Sequence, residues 1–520
     1  MFLSLRELRI WLGGIVLAVA SVVGAQDDGS MMNLQSTPIP NRLLEYGAPE
    51  TVGMNSERLA LLDGVVRDAI DARETSGAVV LIARRGKIVY ERAFGYRAVV
   101  PEKEAMTTDT IFDLASLTKC VATASAVMKL VEDGKLRLGD PVKKLIPDWA
   151  ASKEEKAYQT ELAKVRRWIR AGVLQVAPEM QVSQHLETTQ SKRLVTGREN
   201  PREVWERLVR KGVLKIPQRA LEEQLTLALP DREAVSVRHL LTHTSGLDPY
   251  DNYYLKFPQG NARQQIIQDI ARRPLLAPAG ETFVYSDLGY ITLGEIVERV
   301  SGTDLNTFCR KTLYEPLGMH DTMFNPPKSL LPRIAPTEWR LRPEPQAKQQ
   351  KSGVAPQPQK YMIRGEVHDG NAFVQNGISG HAGLFSTAHD LAIFAQMLLN
   401  GGQYGNVRIF SPLTVRAMIS DQARLKDGTK RGYGWDIASG YSSQRGDIFT
   451  TGFGHTGWTG TSLWAVPEEE LIIIVLTSRC HPDGTGDVGP LRAKIANVVA
   501  SSIVEPNSTG MELKDGEEKP

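Results

Sequence analysis

The tetrapeptide Ser116-Leu117-Thr118-Lys119 decides how the rest of the sequence is interpreted. It places a hydroxyl and an amine three residues apart, at the start of a pattern in which apolar residues recur at three- and four-residue steps as far as Val131. We therefore predict a helix from Ser116, and Gly134 is expected to end it in a left-handed conformation. Because residues i and i+3 share one helix face, the two side chains should meet. A lysine that loses its proton in a dry pocket can take the proton of a serine hydroxyl and make it an acylating nucleophile.

Two further segments give this pattern its specificity, because a serine near a helix start is most often only a cap. The first, Tyr285-Ser286-Asp287, lies between a Pro/Gly turn and an apolar helical run from 291 to 300. The second, His455-Thr456-Gly457, precedes two apolar runs, Ser462–Val466 and Leu471–Thr477, that predict a β-hairpin. Each motif alone is weak. Their order along the chain, with long spacers between them, is specific.

With these three motifs the chain resembles the serine β-lactamase and penicillin-binding-protein superfamily, in its class C and D,D-peptidase-like branch. That superfamily uses Ser-x-x-Lys, Tyr-x-Asn and Lys/His-Thr-Gly as its active-site elements. The resemblance runs from about Leu44 to Val504 and includes the segment His239-Leu240-Leu241-Thr242-His243-Thr244-Ser245-Gly246-Leu247. Three more segments, at 333–338, 365–369 and 380–387, resemble a sub-branch associated with cell-wall peptides, which includes D-alanyl-D-alanine carboxypeptidases and muropeptide amidases.

The resemblance implies a set of site residues and needs neither a cofactor nor a metal. Ser116 would be the nucleophile, Lys119 the base, and Tyr285 the group that relays the proton to the leaving group. The backbone N–H groups of Ser116 and Trp458 would bind the oxyanion. The substrate-binding residues would be Asp287, His455, Thr456, Gly457 and Trp458.

Two residues depart from the usual pattern. Asp287 stands where the superfamily more often has Asn, so an amide donor is replaced by a carboxylate that only accepts when ionised. His455 stands in place of the Lys of many β-lactamases, which removes a fixed positive charge at neutral pH. Both departures weigh against β-lactam hydrolysis more than against acyl transfer.

The predicted fold class is α/β, of the α+β type. Strands at 78–83 and 87–93, joined by a turn at 84–86, should pair with the hairpin at 462–477 in an antiparallel sheet built from both chain ends. Helices at 56–72 and 491–504 would flank this sheet. The middle of the chain predicts a mostly helical subdomain, with the active site in the cleft between the two.

The motifs span residues 116 to 457 and must converge on one cleft, which predicts a single β-lactamase-like catalytic domain at 44–504. Charged residues between 151 and 233 predict a helical insertion within it, which is either a solvated decoration or a lid for a bulky substrate. The acidic, polar residues 505–520 predict a disordered tail. The oligomeric state stays open.

The first 25 residues predict a secretory signal peptide, because two arginines precede an apolar stretch that ends at Ala25. An uncleaved anchor is the alternative, and no other stretch is apolar enough to span a membrane. We therefore expect a periplasmic or secreted protein with no stable membrane span after signal cleavage. The chain carries 62 Lys+Arg and 60 Asp+Glu with no basic stripe, which argues against nucleic acid as a partner.

A cluster of polar residues, His368, Asp369, Asn371 and His381, invites a metal interpretation, but its spacing matches no zinc template. Substrate contact or loop bracing is favoured instead. The three cysteines also lack metal-ligand spacing, Cys120 is expected to be a small buried residue, and one disulfide is conceivable.

The sequence thus predicts a secreted serine hydrolase that works through an acyl-enzyme. Its expected partner is a peptidoglycan-derived peptide or another small acyl substrate, with D-alanyl-D-alanine carboxypeptidase-like activity first. An esterase or a β-lactamase of the same fold is the alternative within the enzyme class. A penicillin-binding sensor that acylates without turnover is the alternative outside it.

Overall fold

The structure, a computed structural model, describes residues 40–149, 232–257, 262–273, 275–341 and 360–505, together with two short paired strands at 175–176 and 214–215. The elements below belong to one compact unit that begins at Asn41. The predicted signal peptide, most of the predicted insertion and the tail after 505 lie outside the described residues.

The central feature is a nine-stranded sheet, in the order β1-β3-β2-β9-β8-β7-β6-β5, with β4 paired to β3. Only the β1–β3 pair is parallel. Its strands are β1 (Glu45–Tyr46), β2 (Gly77–Arg84), β3 (Lys87–Ala98), β4 (Glu104–Ala105), β5 (Lys430–Arg431), β6 (Asp436–Ala438), β7 (Phe453–Thr456), β8 (Ser462–Val466) and β9 (Leu471–Thr477). Smaller sheets join Phe112–Asp113, Leu384–Ser386 and Met323–Phe324; Trp339–Leu341 and Lys360–Met362; and Gln403–Tyr404 and Val407–Arg408.

The middle of the sheet joins the two ends of the chain, because β2 pairs with β9 over seven residue pairs, from Leu471 opposite Arg84 to Thr477 opposite Ala78. Every residue of both strands is buried, and both are rich in β-branched side chains. Along β2, residues 78, 80 and 82 enter one apolar core, whereas residues 79, 81 and 83 enter the other. The sheet is therefore covered on both faces, with the period of two that strands impose.

Helices complete these two cores. One face is covered by α1 (Ser56–Asp71) and α13 (Gly489–Ser502), which contribute Leu62 and Ile495 to the core they share with the sheet. The other face is covered by α11 (Ala388–Leu399) and the helical middle of the chain. The remaining helices are α2 (Ser125–Glu132), α3 (Val142–Leu145), α4 (Val237–Leu241), α5 (Tyr253–Lys256), α6 (Arg263–Arg272), α7 (Asp287–Ser301), α8 (Leu305–Cys309), α9 (Glu315–Leu317), α10 (Gly370–Phe373) and α12 (Pro412–Ile419).

The predicted fold class is confirmed, and so are the two strands of the hairpin at 462–477. Strand β3 runs five residues beyond the predicted 93, because Phe94 and Ala98 keep pointing into the buried side. Gly134 has the expected left-handed conformation, with φ 68°. Within the ranges that the structure describes, no helix is both long and apolar enough to cross a bilayer.

The prediction of one regular helix from Ser116 is wrong. The chain makes a 3₁₀ turn at Ala115–Leu117, a π-helix at Lys119–Ala124 and only then α2. Ser125 Oγ donates to Cys120 O at 2.8 Å, five residues back, which supports the wider π geometry. These segments are three and six residues long, too short for the apolar spacing to distinguish one helix type from another.

Candidate active site

Ser116 and Lys119 are in direct contact. The Lys119 Nζ donates to Ser116 Oγ at 2.9 Å. Ser116 lies in the 3₁₀ turn and Lys119 begins the π-helix, so the two side chains meet where one helix type follows the other. Lys119 has no exposed surface, whereas Ser116 is half-buried, so the serine is the accessible member of the pair.

The turn that carries Ser116 is held by a buried carboxylate. Asp113 accepts hydrogen bonds from the backbone N–H of Ala115 (2.8 Å) and of His368 (2.7 Å). Ala115 has φ 45°, in the left-handed region that alanine rarely adopts. Burial raises the pKa of the Asp113 carboxyl, and the two N–H donors partly offset this. The two hydrogen bonds to Asp113 thus stabilise the strained backbone next to Ser116.

The Lys119 amine has three acceptors. Besides Ser116 Oγ, it donates to His381 O at 3.0 Å and forms an ion pair with Asp287 Oδ1 at 2.8 Å. Burial by itself lowers the pKa of Lys119, but Asp287 and Tyr285 raise it by more, so the pKa lies above its ordinary value. In the resting site Lys119 is therefore an ammonium that donates to Ser116 and His381 and is paired with the Asp287 charge. The carboxylate that stands in place of the usual Asn is thus paired with Lys119.

Tyr285 lies over the same amine, with its ring centroid 5.1 Å from Lys119 Nζ. It immediately precedes Ser286, the N-cap of α7, whose side chain accepts from the N–H of Gly289 at 3.2 Å. Burial raises the pKa of the Tyr285 phenol, and the Lys119 charge opposes that shift only in part. Tyr285 is therefore a neutral phenol in the resting site.

Sequence reasoning missed His243, whose ring stacks on Tyr285 with 4.5 Å between centroids. Its Nδ1 accepts from the N–H of Ser286 at 3.0 Å, so the neutral ring carries its proton on Nε2. The pKa of His243 lies well below its usual range because burial disfavours the cation and Arg431 and Lys119 repel it. His243 has φ 57°, and no sequence pattern announces a left-handed histidine.

A second missed residue, Tyr441, also packs its ring against the same phenol. Its ring centroid is 5.0 Å from that of Tyr285, and about half of its surface is exposed (51%). Tyr285 therefore contacts both a buried imidazole and a half-exposed aromatic ring.

His455 is buried in β7 and is neutral. Its Nδ1 lies 2.7 Å from Thr456 O, so Nδ1 carries the proton and Nε2 presents a lone pair. Among the described residues Nε2 has no hydrogen-bond partner. Burial lowers the pKa of His455 well below its usual range, and the charges of Arg431 and Lys119 lower it further. The fixed cation that lysine would supply is thus not restored by protonation of this histidine.

The turn after β7 is tied to the segment before Ser116. Thr459 Oγ1 donates to Asp113 O at 2.6 Å, and Thr461 Oγ1 donates to Leu114 O at 3.0 Å. A Cβ atom at Gly457 would lie 2.3 Å from Leu114 O, so only glycine allows this approach. The structure therefore brings all three sequence motifs to one place.

Trp458, the next residue, has a largely exposed side chain (68%). Its ring lies over the Arg479 guanidinium at 4.6 Å, and Arg479 Nε donates to Trp458 O at 2.6 Å. Arg479, which follows the end of β9, thereby holds the backbone at Trp458, the predicted oxyanion position.

A family model named Beta-lactamase matches residues 62–171 and 202–497, which is most of the chain. The chain belongs to the beta-lactamase family. It is therefore a member of a superfamily of serine hydrolases, as the three motifs predicted. A curated relative from Salmonella agona, named "Putative D-alanyl-D-alanine carboxypeptidase", is 28% identical over 498 residues, covering 92% of this chain and 94% of that protein.

Solved structures of similar fold include EstCE1, described as a hydrolase with promiscuous acyltransferase activity. It has a TM-score of 0.54 and 21% identity, and the match covers 85% of this chain and 98% of that one. A penicillin-binding protein homologue from Caulobacter crescentus has a TM-score of 0.55 and 17% identity, with coverage of 86% and 99%. At these identities the likeness concerns the fold alone.

In this member of the beta-lactamase family, the 368–381 cluster makes contacts within the protein. His368 Nε2 lies 2.9 Å from Glu338 Oε1, and Asn371 Nδ2 donates to Asp251 O at 2.7 Å. His381 contacts Asp369. These contacts brace the loop, which is one of the two roles that the sequence favoured. The described residues contain no group of three or more His, Cys, Asp or Glu side chains arranged to hold a metal ion.

The cysteines are free thiols. Cys120, Cys309 and Cys480 are all buried and unpaired with one another. Burial raises the pKa of Cys120 to about 12, so it is protonated at neutral pH. The expectation that Cys120 is a small buried residue agrees with this environment.

Proposed function

We propose that this chain is a serine hydrolase that forms a covalent acyl-enzyme on Ser116, with Lys119 as the base. The observation that carries the proposal is the 2.9 Å contact between the fully buried Lys119 amine and the half-buried Ser116 hydroxyl. A nucleophile and a base within hydrogen-bond reach, with the base oriented by further groups, is the arrangement that serine acyl transfer requires.

Proton transfer follows from the three contacts of Lys119. When the ammonium has lost one proton, the amine still donates to His381 O and lies beside Asp287, and its lone pair is directed at Ser116 Oγ. The Oγ–carbon bond then forms as the Ser116 proton moves to Nζ. Because Asp287 favours the ammonium, acylation gains rate as the pH rises towards the pKa of Lys119.

Tyr285 then carries the proton from Lys119 to the leaving group, and in deacylation it helps a water molecule attack the ester. Its burial keeps the phenol protonated, so it acts as a proton donor first. The backbone N–H groups of Ser116 and Trp458 stabilise the oxyanion. Each such donor typically contributes about 3 kcal/mol to the transition state.

The substrate that we place first is a peptidoglycan-derived peptide, cleaved at its D-alanyl-D-alanine bond. The names of the curated relatives, which align over 92% of this chain, support this assignment. A substrate of this kind also supports an extracytoplasmic location reached through the predicted signal peptide. Asp287, His455, Thr456 and Gly457 would line the substrate side of the cleft.

One observation favours a second candidate, an esterase. His455 is neutral and Asp287 is an anion beside Lys119, so neither of these two positions supplies a fixed cation for a terminal carboxylate. An uncharged ester has no such requirement.

The test is a turnover screen of the wild type and Ser116→Ala against a muropeptide ending in D-Ala-D-Ala, a short-chain nitrophenyl ester and a chromogenic cephalosporin. We expect the wild type to release D-alanine and Ser116→Ala to release none. Turnover of the ester alone would favour the esterase. Labelling by a β-lactam without release would favour the sensor, and equal activity of the Ser116→Ala variant would refute the acyl-enzyme. Secretion is tested separately, by determining the N-terminus of the protein exported from the cell.

A further inference from the structure

The third acceptor of Lys119 is a main-chain oxygen, so its position depends on the loop that carries it. The Lys119 Nζ donates to His381 O at 3.0 Å. Together with Asp287, this carbonyl decides where the lone pair of the neutral amine points. A small shift of the loop would turn that lone pair away from Ser116 Oγ.

Two contacts fix the position of Gly380, the residue before His381. Gly380 O accepts from Thr123 Oγ1 at 2.6 Å, in the π-helix that begins at Lys119. A Cβ atom at Gly380 would lie 2.0 Å from Tyr290 O, so the loop backbone rests directly on α7. These contacts fix the start of the peptide but leave the His381 carbonyl itself to be oriented.

The His381 side chain supplies that orientation. Its ring, 1% exposed, contacts Ser379 Oγ through Nδ1 and Asp369 Oδ1 through Nε2, both at 2.9 Å. Asp369 in turn accepts from the N–H of Ala372 at 2.8 Å and caps α10. The imidazole is thus anchored at both nitrogens, although neither nitrogen faces Ser116 or Lys119.

We propose that His381 is a positioning residue for Lys119, whose side-chain anchors to Asp369 and Ser379 hold its carbonyl where it directs the amine at Ser116. This inference rests on the proposed roles of Ser116 and Lys119. The polar cluster that the sequence singled out thereby has a function. Its buried Ser379, His381 and Asp369 side chains support the site and do not form a second nucleophile.

Several titratable and charged groups surround Lys119 and would also affect its protonation. From α7 and the residues before it come Tyr285, Asp287 and Tyr290, and from other elements come His243, Arg431, His455 and Cys120. None of these groups contacts the His381 ring, so a change of the pH profile in a His381 variant is attributed to the displaced carbonyl.

The experiment measures the pH dependence of Ser116 acylation by a fluorophosphonate, in which the Oγ–phosphorus bond forms, fluoride leaves and the serine proton passes to Lys119. In His381→Ala we expect the plateau rate to fall about 10- to 100-fold, because the amine is misdirected. We also expect the acidic limb to move to lower pH by roughly half to one unit, because the ammonium loses an acceptor that favours the charged form.

Two variants complete the test. The plateau rate of His381→Gln should be at least tenfold higher than that of His381→Ala, because the glutamine amide can still donate to Asp369. His368→Ala is the matched control. It removes another histidine–carboxylate contact of 2.9 Å from the same loop, to Glu338, and should leave the acidic limb where the wild type has it.

A lower plateau with an unmoved acidic limb in His381→Ala would overturn the proposal, since lost folding reduces active enzyme without changing a pKa. A wild-type plateau would also overturn it. Should His381→Ala fail to fold, Asp369→Asn makes the same test, because it weakens the anchor while its amide oxygen still caps α10. Failure of the proposed function is distinguishable, since Ser116→Ala would then label like the wild type.

Discussion

Replacing Asp287 by asparagine removes the anion beside Lys119 and keeps the size of the side chain. The two charges are 2.8 Å apart, and at an effective dielectric constant of about 20 such charges attract by about 6 kcal/mol. The asparagine oxygen can still accept from the ammonium, and water reaches the 19% of the Asp287 side chain that is exposed, so much of this energy is recovered. We expect a net decrease of the Lys119 pKa of about 1–3 units, the range typical of an opposite charge at this distance.

The direction of the change in the Lys119 pKa follows from the ion pair. Asp287 stabilises the ammonium, so its removal makes the neutral amine available at lower pH. The acidic limb of acylation should therefore move to lower pH by about 1–3 units, equivalent to about 1.4–4 kcal/mol. The new amide donor should also improve reactivity towards β-lactams relative to the natural substrate.

The assay is the rate of fluorophosphonate labelling from pH 6 to 11, a range on the acidic limb of the wild type, so the move of the limb is measured as faster labelling of Asp287→Asn at the same pH; thermal melting checks folding. Glu295→Gln is the matched control, because it neutralises a carboxylate of α7 that pairs with Arg299 at 2.7 Å on the surface. Its acidic limb should coincide with that of the wild type. An unmoved limb in Asp287→Asn would mean that this carboxylate does not influence the base, and the argument for its role would fail.

Three further predictions concern the base, the relay and the core. Lys119→Arg should lose more than nine-tenths of the acylation rate, about 1.4 kcal/mol of barrier or more, because guanidinium does not release its proton; a retained rate would exclude lysine as the base. Tyr285→Phe should fold normally, since its ring contacts with His243 need no hydroxyl, but turnover should fall about 10²- to 10⁴-fold; near-normal turnover would remove the relay role. Ile474→Ala, at a fully buried position of β9, should lower the free energy of unfolding by about 2–5 kcal/mol in urea denaturation, and a loss below 1 kcal/mol would contradict the packing described.

The sequence predicted the sheet well where burial imposes a simple pattern. The hairpin strands at Ser462–Val466 and Leu471–Thr477 match the predicted bounds, because each is a short apolar run closed by a turn. The three motifs could also be assigned to one site, since their spacing along the chain leaves one cleft for them to share.

Other parts of the site depend on contacts between distant segments, which local patterns do not encode. The π-helix after Ser116 and the left-handed His243 follow from tertiary packing, so periodicity suggested a regular helix and no special histidine. The His381 carbonyl is a backbone group, 262 residues from the lysine that it contacts, and no side-chain pattern could identify it. The neutrality of His455 depends on burial and on the nearby Arg431, whose position the sequence did not indicate.

The most direct test of the central claim is to locate the covalent bond itself. The protein is incubated with a fluorophosphonate, digested and mapped by mass spectrometry, with Ser116→Ala treated in parallel. The account predicts one adduct, on Ser116, and none on the Ser116→Ala protein. An adduct on another residue, or labelling of Ser116→Ala at the wild-type rate, would contradict it.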